Sequence, residues 1–158
     1  MAPNAEFFRA CNAASGGKIR LVTLAPNMPG SLEFIKEVSD EVMVSIGHTT
    51  ADYDTALAAM KAGAHHVTHL YNAMPPFAHR NPGGIGAAFD DPECRMELIC
   101  DGYHIHGAVV RATFSMMVSE RMVLISDSMM ATGMPNGTYS LGGQAVWMKD
   151  GKATLTDG

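Results

Sequence analysis

The sequence predicts an α/β protein built on a parallel sheet. Five apolar runs alternate with helical patterns at a spacing of roughly 25 residues, which is typical of repeated βα units. The runs are apolar at both odd and even positions, as expected for strands covered on both faces. With 158 residues, 47% of them hydrophobic and 17% charged, the chain is long enough for one domain with a core.

Each predicted strand is an apolar or β-branched run bounded by turn residues. The five runs cover residues 19–24, 42–46, 65–70, 95–100 and 121–126. From Thr138 the pattern changes, and a hairpin is predicted at 144–148 and 152–156 because Asp150-Gly151 is a favoured two-residue turn. We therefore expect residues 138–158 to belong to a separate small β-domain.

Helices are predicted between the strands from three- and four-residue apolar spacing. They cover residues 5–14, a segment with Ser31 as N-cap, a segment ending at Gly63, and residues 108–118. The expected inner faces are Phe7, Phe8 and Cys11; Leu32, Phe34, Ile35 and Val38; Tyr53, Ala56, Leu57 and Met60; and Val110, Phe114, Met117 and Val118. Residues 72–86 are expected to form a long loop.

Composition and charge narrow the functional class. The net charge of −5 gives no electrostatic reason to expect a nucleic acid or an anionic membrane as partner. No apolar run approaches the roughly 20 residues of a membrane helix, and the start lacks the features of a signal peptide. The three cysteines, Cys11, Cys94 and Cys100, form no Cys-x-x-Cys pair, which favours reduced thiols in the cytoplasm.

Four polar residues lie at or just beyond the carboxyl ends of predicted strands: His48, His69, His104 and Asp127. In a (β/α) barrel these ends meet at one mouth, whereas in an open sheet they line a crevice. In either case we expect the four side chains to share one end of the sheet.

The roles of these residues stay open on the pattern alone. His48 and His69 suit a metal site, although a strand-end histidine is more often a hydrogen-bonded or solvated side chain. Asp127 would be a general base if desolvation beside the core favoured proton uptake, or else the cap of the following turn. His66 is discounted because residues three apart on a strand point to opposite faces.

Other candidates carry weaker signals. The glycine-rich segment 81–86 does not directly follow a strand and precedes no Lys-Ser/Thr, so it is a weak candidate for a phosphate loop. Arg80 beside it could pair with a phosphate group. We expect Asp101 to be a turn residue, and His65 and His106 to be structural or surface histidines.

Together, these motifs closely resemble the N-acetylglucosamine-6-phosphate deacetylases of the amidohydrolase superfamily. The resemblance extends from about Ile19 to the end of the chain. The matching motifs are Thr23-Leu24-Ala25-Pro26, Gly47-His48-Thr49, Thr68-His69-Leu70-Tyr71-Asn72-Ala73-Met74-Pro75, Arg80-Asn81-Pro82-Gly83, Asp101-Gly102-Tyr103-His104 and Ser126-Asp127. It implies a partial (β/α)8 TIM-type barrel of about five βα units over residues 1–137, and part of a small β-sandwich domain over residues 138–158.

The resemblance also implies an activity, the hydrolysis of the acetamide of N-acetylglucosamine 6-phosphate to glucosamine 6-phosphate and acetate. His48 and His69 match ligands of a divalent metal, most often Zn²⁺, with Fe, Mn or Co as alternatives. Asp127 matches the residue that takes a proton from water and protonates the leaving amine, and His104 one that holds the substrate and polarises its carbonyl. Substrate contacts are implied for Asn72, Ala73, Arg80, His104, Leu141, Gly142 and Gly143.

Two departures from the family qualify this expectation. Asn27 stands where the family has a metal-ligating glutamate, and a neutral amide oxygen is a poorer ligand, so the metal is expected to bind weakly or be absent. A full barrel needs roughly 250 residues. The chain therefore looks like a fragment lacking the N-terminal part, including the early His-x-His strand, and its unpaired parallel edges predict a homo-oligomer, such as a dimer.

Two alternatives remain. One is another amidohydrolase, such as a dihydroorotase-like cyclic-amide hydrolase, although the loop at His69 and Arg80 favour a phosphosugar. The other is an inactive, self-associating fragment.

Overall fold

A computed structural model describes residues 2–155 and arranges them around two sheets. The strands of the first sheet are β1 (Leu21–Leu24), β2 (Met43–Ile46), β3 (His66–Val67), β4 (Arg95–Ile99) and β5 (Met122–Ile125). They are parallel, and their order in the sheet follows the chain, with β1 and β5 at the edges. The predicted parallel α/β sheet is confirmed.

Five α-helices and one short 3₁₀ helix accompany this sheet within the described residues. They are α1 (Ala5–Ala14), α2 (Ser31–Val38), α3 (Tyr53–Lys61), α4 (Gly83–Asp90), α5 (Gly107–Met116) and the 3₁₀ helix Ser119–Arg121. The core lies between helices and sheet, because Ile46, Val67 and Met96 are in register on one face and fully buried with Ile35 and Met60.

The other face of the sheet is polar. Thr23, Ser45 and His66 are in register on β1, β2 and β3, and Thr68 and Glu97 continue the same face. We call these five residues the inner polar face. The expectation of strands apolar on both faces is therefore wrong for β1 to β3, whereas Ile99, Val123 and Ile125 keep this face apolar toward β5. Helices cover one face, and the polar groups of the other bind one another.

Helix α4 and the shortness of β3 were not predicted from the sequence. The predicted strand at 65–70 ends after Val67, since His69 has a left-handed backbone with φ 34°. The predicted loop contains α4, whose glycines have low helix propensity. Packing against α3 explains this helix, because a Cβ at Gly84 would lie 3.6 Å from the Cβ of Ala56 in ordinary contact.

Some predicted details of the helices are also wrong. Gly30, with φ 80°, is the N-cap of α2, whereas Ser31 is buried in the first turn and donates its hydroxyl to the Ala25 carbonyl at 2.9 Å. Phe7 is exposed, as are Phe114 and Val118, because the burial of α1 and α5 centres on Phe8 and Thr113.

The second sheet is antiparallel, with β6 (Gly137–Leu141), β7 (Gln144–Lys149) and β8 (Lys152–Leu155) in chain order. The hairpin predicted around Asp150-Gly151 is confirmed up to Leu155, and both turn residues have positive φ, at 50° and 80°. Thr156, its predicted last residue, lies outside the described residues. Strand β6 was not predicted as a strand.

Across residues 2–155, none of the helices has both the length and the apolar character that crossing a membrane requires. All three cysteines are free thiols, with Cys94 buried and Cys100 exposed. Burial, together with the charge of Asp91, raises the pKa of the Cys94 thiol to about 12, against a smaller opposing effect of Arg121.

Candidate active site

Left-handed backbone conformations cluster at the carboxyl edge of the parallel sheet. Five non-glycine residues there have positive φ: His48 (47°), His69 (34°), Tyr71 (76°), Ala73 (51°) and Asp127 (49°). Such conformations are uncommon for residues with a Cβ and persist where the surrounding structure enforces them, often at functional sites. Three of the four predicted strand-end residues are among them.

His48 and His69 meet at this edge. Their Nε2 atoms are 2.9 Å apart, and the ring centroids are 4.7 Å apart at an interplanar angle of 79°. His69 is 4% exposed, whereas His48 is open to solvent. Within residues 2–155 the buried Nδ1 of His69 has no hydrogen-bond partner. The structure therefore brings two imidazole nitrogens from neighbouring strands to one point.

Asn27 lies in the loop after β1 and is bound to the loop after β2. Its Oδ1 accepts from the Thr49 hydroxyl at 2.6 Å, and its Nδ2 donates to the Thr50 hydroxyl at 3.2 Å. Thr49 is buried, and its Oγ1 also accepts from the Ala51 amide at 2.9 Å. The amide of Asn27 thus binds the turn immediately after His48.

Gly47 allows that turn to pack closely on its neighbours. A Cβ at this position would lie 2.8 Å from Cγ2 of Thr23 and 3.0 Å from Cβ of Thr68. Both threonines are hydrogen-bonded to each other at 2.9 Å, so neither can move freely.

Gly47→Ala is therefore expected to lower the free energy of unfolding by about 1–3 kcal/mol through overpacking. The measurement is urea unfolding followed by circular dichroism. Gly84→Ala is the matched control, since its Cβ would make an ordinary 3.6 Å contact, and it should be neutral or slightly stabilising. Equal effects of the two substitutions would contradict the overpacking argument.

His104 and Asp127 both lie at this edge and are exposed. Asp101 accepts from the Tyr103 and His104 amides at 2.8 and 2.9 Å, and its Oδ2 is 2.7 Å from Nδ1 of His104. Partial burial acts to raise the pKa of Asp101, but these hydrogen bonds outweigh it and lower the pKa. Asp101 is the predicted turn residue and also orients His104. Asp127 is exposed, so the desolvation by the core on which one of its two interpretations depended is not observed.

The other predicted substrate residues are not all at one place. Asn72 directs its Nδ2 back to the His69 and Leu70 carbonyls at 3.4 and 3.3 Å, and the Ala73 carbonyl accepts from the Thr49 amide at 3.0 Å. Arg80 lines a different cleft of about 500 Å³ whose walls include Asp52, Asp54 and Asp90. Leu141, Gly142 and Gly143 form the β6–β7 turn.

Three further histidines, His65, His66 and His106, have structural partners. Nδ1 of His65 is 2.9 Å from Asp91, and the His106 ring accepts from the Ala108 amide at 3.2 Å as the N-cap of α5. His66 is buried, with its Nδ1 2.9 Å from the Ser45 hydroxyl. Burial lowers the pKa of His66, the Glu97 carboxylate acts to raise it, and Arg95 lowers it further. The ring of His66 is thus engaged with Ser45. Strand β3 ends at Val67, so the argument that His66 and His69 point to opposite faces of a strand does not apply.

Two residues near the pair were missed from the sequence, Glu97 and Thr49. Glu97 accepts from the His69 amide at 3.2 Å, and Thr49 binds Asn27. The sequence did contain a signal for Glu97. Thr23, Ser45 and Glu97 each interrupt an apolar run, and each falls at a position that faces the inner polar side of the sheet.

Comparisons with known proteins confirm the resemblance. An N-acetylglucosamine-6-phosphate deacetylase of Bacillus subtilis is 44% identical over 154 residues, which are 97% of this chain and 39% of the relative. An N-acetylgalactosamine-6-phosphate deacetylase of Escherichia coli O157:H7 is 40% identical over 147 residues, 92% of this chain and 39% of the relative. No protein-family model matches the chain.

Comparison with solved structures gives the same family as the curated relatives. A mutant N-acetyl-D-glucosamine-6-phosphate deacetylase of Mycobacterium smegmatis, in complex with N-acetyl-D-glucosamine 6-phosphate, is similar with a TM-score of 0.93 and 37% identity. The similarity covers 98% of this chain and 41% of that protein. The chain spans about 40% of the length of these curated relatives.

Proposed function

We propose that this chain, which belongs to the N-acetylglucosamine-6-phosphate deacetylase family, forms part of an enzyme that removes the acetyl group from N-acetylglucosamine 6-phosphate. The observation that carries the proposal is the convergence of His48 and His69, at 2.9 Å between Nε2 atoms, on the sheet edge that also carries His104 and Asp127. The fold we propose is a partial TIM-type barrel over residues 1–137 beside part of a small β-domain over residues 138–158.

The histidine pair suits a divalent cation by its chemistry. Two facing imidazole nitrogens are a donor set that binds Zn²⁺ well, and Fe, Mn or Co also accept imidazole. In either tautomer of His69, the buried Nδ1 has no hydrogen-bond partner within residues 2–155. The hydrogen bond to His48 therefore leaves the hydrogen-bonding capacity of the His69 ring incompletely satisfied. Within the same range no group of three His, Cys, Asp or Glu residues forms a complete metal site. We therefore propose His48 and His69 as two ligands, with the neutral amide oxygen of Asn27 as a weak third.

A bound cation would supply Lewis-acid activation of water and of the acetamide carbonyl. Asp127 is proposed to accept a proton from the attacking water and to return it to the amine nitrogen as the C–N bond breaks. His104, whose Nδ1 is 2.7 Å from the Asp101 carboxylate, is proposed to hold the substrate carbonyl through Nε2, which requires a proton on Nε2 as well as on Nδ1. Asn72, Ala73, Arg80 and the 141–143 turn are proposed to contact the sugar phosphate.

The test is acetate release from N-acetylglucosamine 6-phosphate by the chain after loading with Zn²⁺, together with metal analysis. N-acetylgalactosamine 6-phosphate is the comparison substrate, because a deacetylase for that sugar is 40% identical. Release from the first substrate at a rate above that of Asp127→Asn supports the proposal. Metal binding without acetate release from either substrate would support the alternative of an inactive segment. Hydrolysis of a cyclic amide would favour the dihydroorotase-like alternative.

Asn27→Glu is expected to strengthen Zn²⁺ binding by roughly tenfold or more, because a carboxylate replaces a neutral amide oxygen. Thr49 and Thr50 can both donate to a glutamate oxygen, so the side chain keeps hydrogen-bond partners. Isothermal titration with ZnCl₂ measures the change. Asn27→Gln is the control for side-chain length and should bind Zn²⁺ no better than the unaltered chain. Unchanged affinity in Asn27→Glu would contradict the proposed ligand position.

Self-association is proposed from the two open edges of the parallel sheet. Near β5 several large apolar side chains are exposed, among them Val118 (60%), Leu124 (66%) and Met130 (79%). Such edges and patches favour pairing with another chain. Sedimentation velocity is expected to give a dimer or larger species, shifted toward monomer by Leu124→Lys, with Leu155→Lys on β8 of the second sheet as control. A stable monomer of the unaltered chain would contradict this proposal.

A further inference from the structure

The side chain of Glu97 reaches the backbone of His69 across the sheet. Glu97 is in β4 on the inner polar face, and its side chain is 15% exposed. One of its carboxylate oxygens accepts from the His69 amide at 3.2 Å. The Glu97 main-chain carbonyl accepts from the next amide, that of Leu70, at 2.8 Å. One residue therefore holds two successive amides, one by its side chain and one by its backbone.

His69 needs such a constraint. Its φ of 34° is costly for a residue with a Cβ, and its ring is buried. Any relaxation of φ toward the β region would carry the ring away from His48. A hydrogen bond to the His69 amide opposes that rotation because it fixes the peptide plane at the start of the turn.

Glu97 is itself part of a connected polar network. Its other carboxylate oxygen lies 3.9 Å from Nε2 of His66, whose Nδ1 is 2.9 Å from the Ser45 hydroxyl. Ser45 is 2.6 Å from the hydroxyl of Thr68, the residue immediately before His69. The network thus contacts the His69 turn through two successive residues.

We infer that Glu97 is a positioning residue, which holds the left-handed backbone of His69 and so the approach of His69 Nε2 to His48 Nε2. It acts through the main chain and not as a ligand, since one carboxylate oxygen is bound to the His69 amide and the other faces the His66 ring. Its consequence for metal affinity rests on the proposed function, whereas its effect on the backbone does not.

The experiment compares Glu97→Met, which keeps the side-chain length but removes the acceptor, with Glu97→Gln, which keeps an acceptor oxygen. Hydrogen exchange of individual amides is measured by NMR on the metal-free 158-residue chain. Glu97→Met is expected to speed exchange of the His69 amide about tenfold and to leave the Leu70 amide nearly unchanged. Glu97→Gln should restore most of the protection, and Glu93→Met, at an exposed site, should alter neither amide.

Unchanged protection of His69 in Glu97→Met would overturn the inference, and so would equal acceleration at His69 and Leu70, which would indicate general loosening. If Glu97→Met does not fold, Glu97→Asp tests the same point, because its shorter side chain withdraws the carboxylate from the His69 amide. In Zn²⁺ titrations, Glu97→Met should weaken binding roughly 10- to 100-fold. If the unaltered chain binds no Zn²⁺, the proposed metal site fails, while hydrogen exchange still decides the role of Glu97.

Discussion

His69→Ala is expected to weaken Zn²⁺ binding by roughly a hundredfold or more, because one imidazole of a converging pair is lost and a single histidine remains. The two Nε2 atoms are 2.9 Å apart, and within residues 2–155 no third His, Cys, Asp or Glu joins them in a metal-binding group. Competition with a chromophoric chelator measures the affinity. His48→Ala should give a similar loss, and the double variant should lose little more, since the two residues act as a unit.

His79→Ala is the matched control for this experiment. His79 is exposed in the loop before α4 and belongs to neither the pair nor the inner polar face. It should leave Zn²⁺ affinity unchanged. Equal affinities of the unaltered chain and His69→Ala would show that metal bound to the chain lies elsewhere, and the proposed site would be abandoned.

Arg121→Met is expected to lower the free energy of unfolding by about 2–4 kcal/mol, because several carbonyls lose a charged donor. The Arg121 guanidinium donates to the carbonyls of Cys94 at 2.9 Å and Asp91 at 2.7 Å, and also to that of Ala88. These carbonyls lie at the end of α4 and at the start of β4. Arg121, the last residue of the 3₁₀ helix before β5, therefore connects the end of α4 with the start of β4 on the amino-terminal side of the sheet.

Thermal and urea unfolding measure this effect. Arg121→Lys should recover part of the loss, since one ammonium group cannot reproduce the planar set of donors. Arg111→Met is the control, because Arg111 is exposed on α5 and has no side-chain hydrogen bond to the described residues. If Arg111→Met lowered the free energy of unfolding as much as Arg121→Met, the effect would not depend on the hydrogen bonds of Arg121.

Residues that contact one another around the site are far apart in the sequence, which is why sequence reasoning could not predict these contacts. Glu97 and His69 are 28 positions apart, and Arg121 reaches Ala88 across 33 positions. Periodicity and turn signals describe neighbours within a few residues, so neither contact could be predicted. Helix α4 was missed for the same reason, because its glycines argue against a helix until the packing on Ala56 is known.

By itself, the sequence determined the parallel α/β sheet, the positions of His48, His69, His104 and Asp127 at strand ends, and the Asp150-Gly151 turn. All of these depend on local spacing, which the chain encodes directly. Tertiary structure alone decided that the two histidines meet, that one face of the sheet is polar, that Asn27 binds two threonines, and that Asp127 is exposed. These contacts join residues from different strands and loops, so they form only when the sheet has assembled.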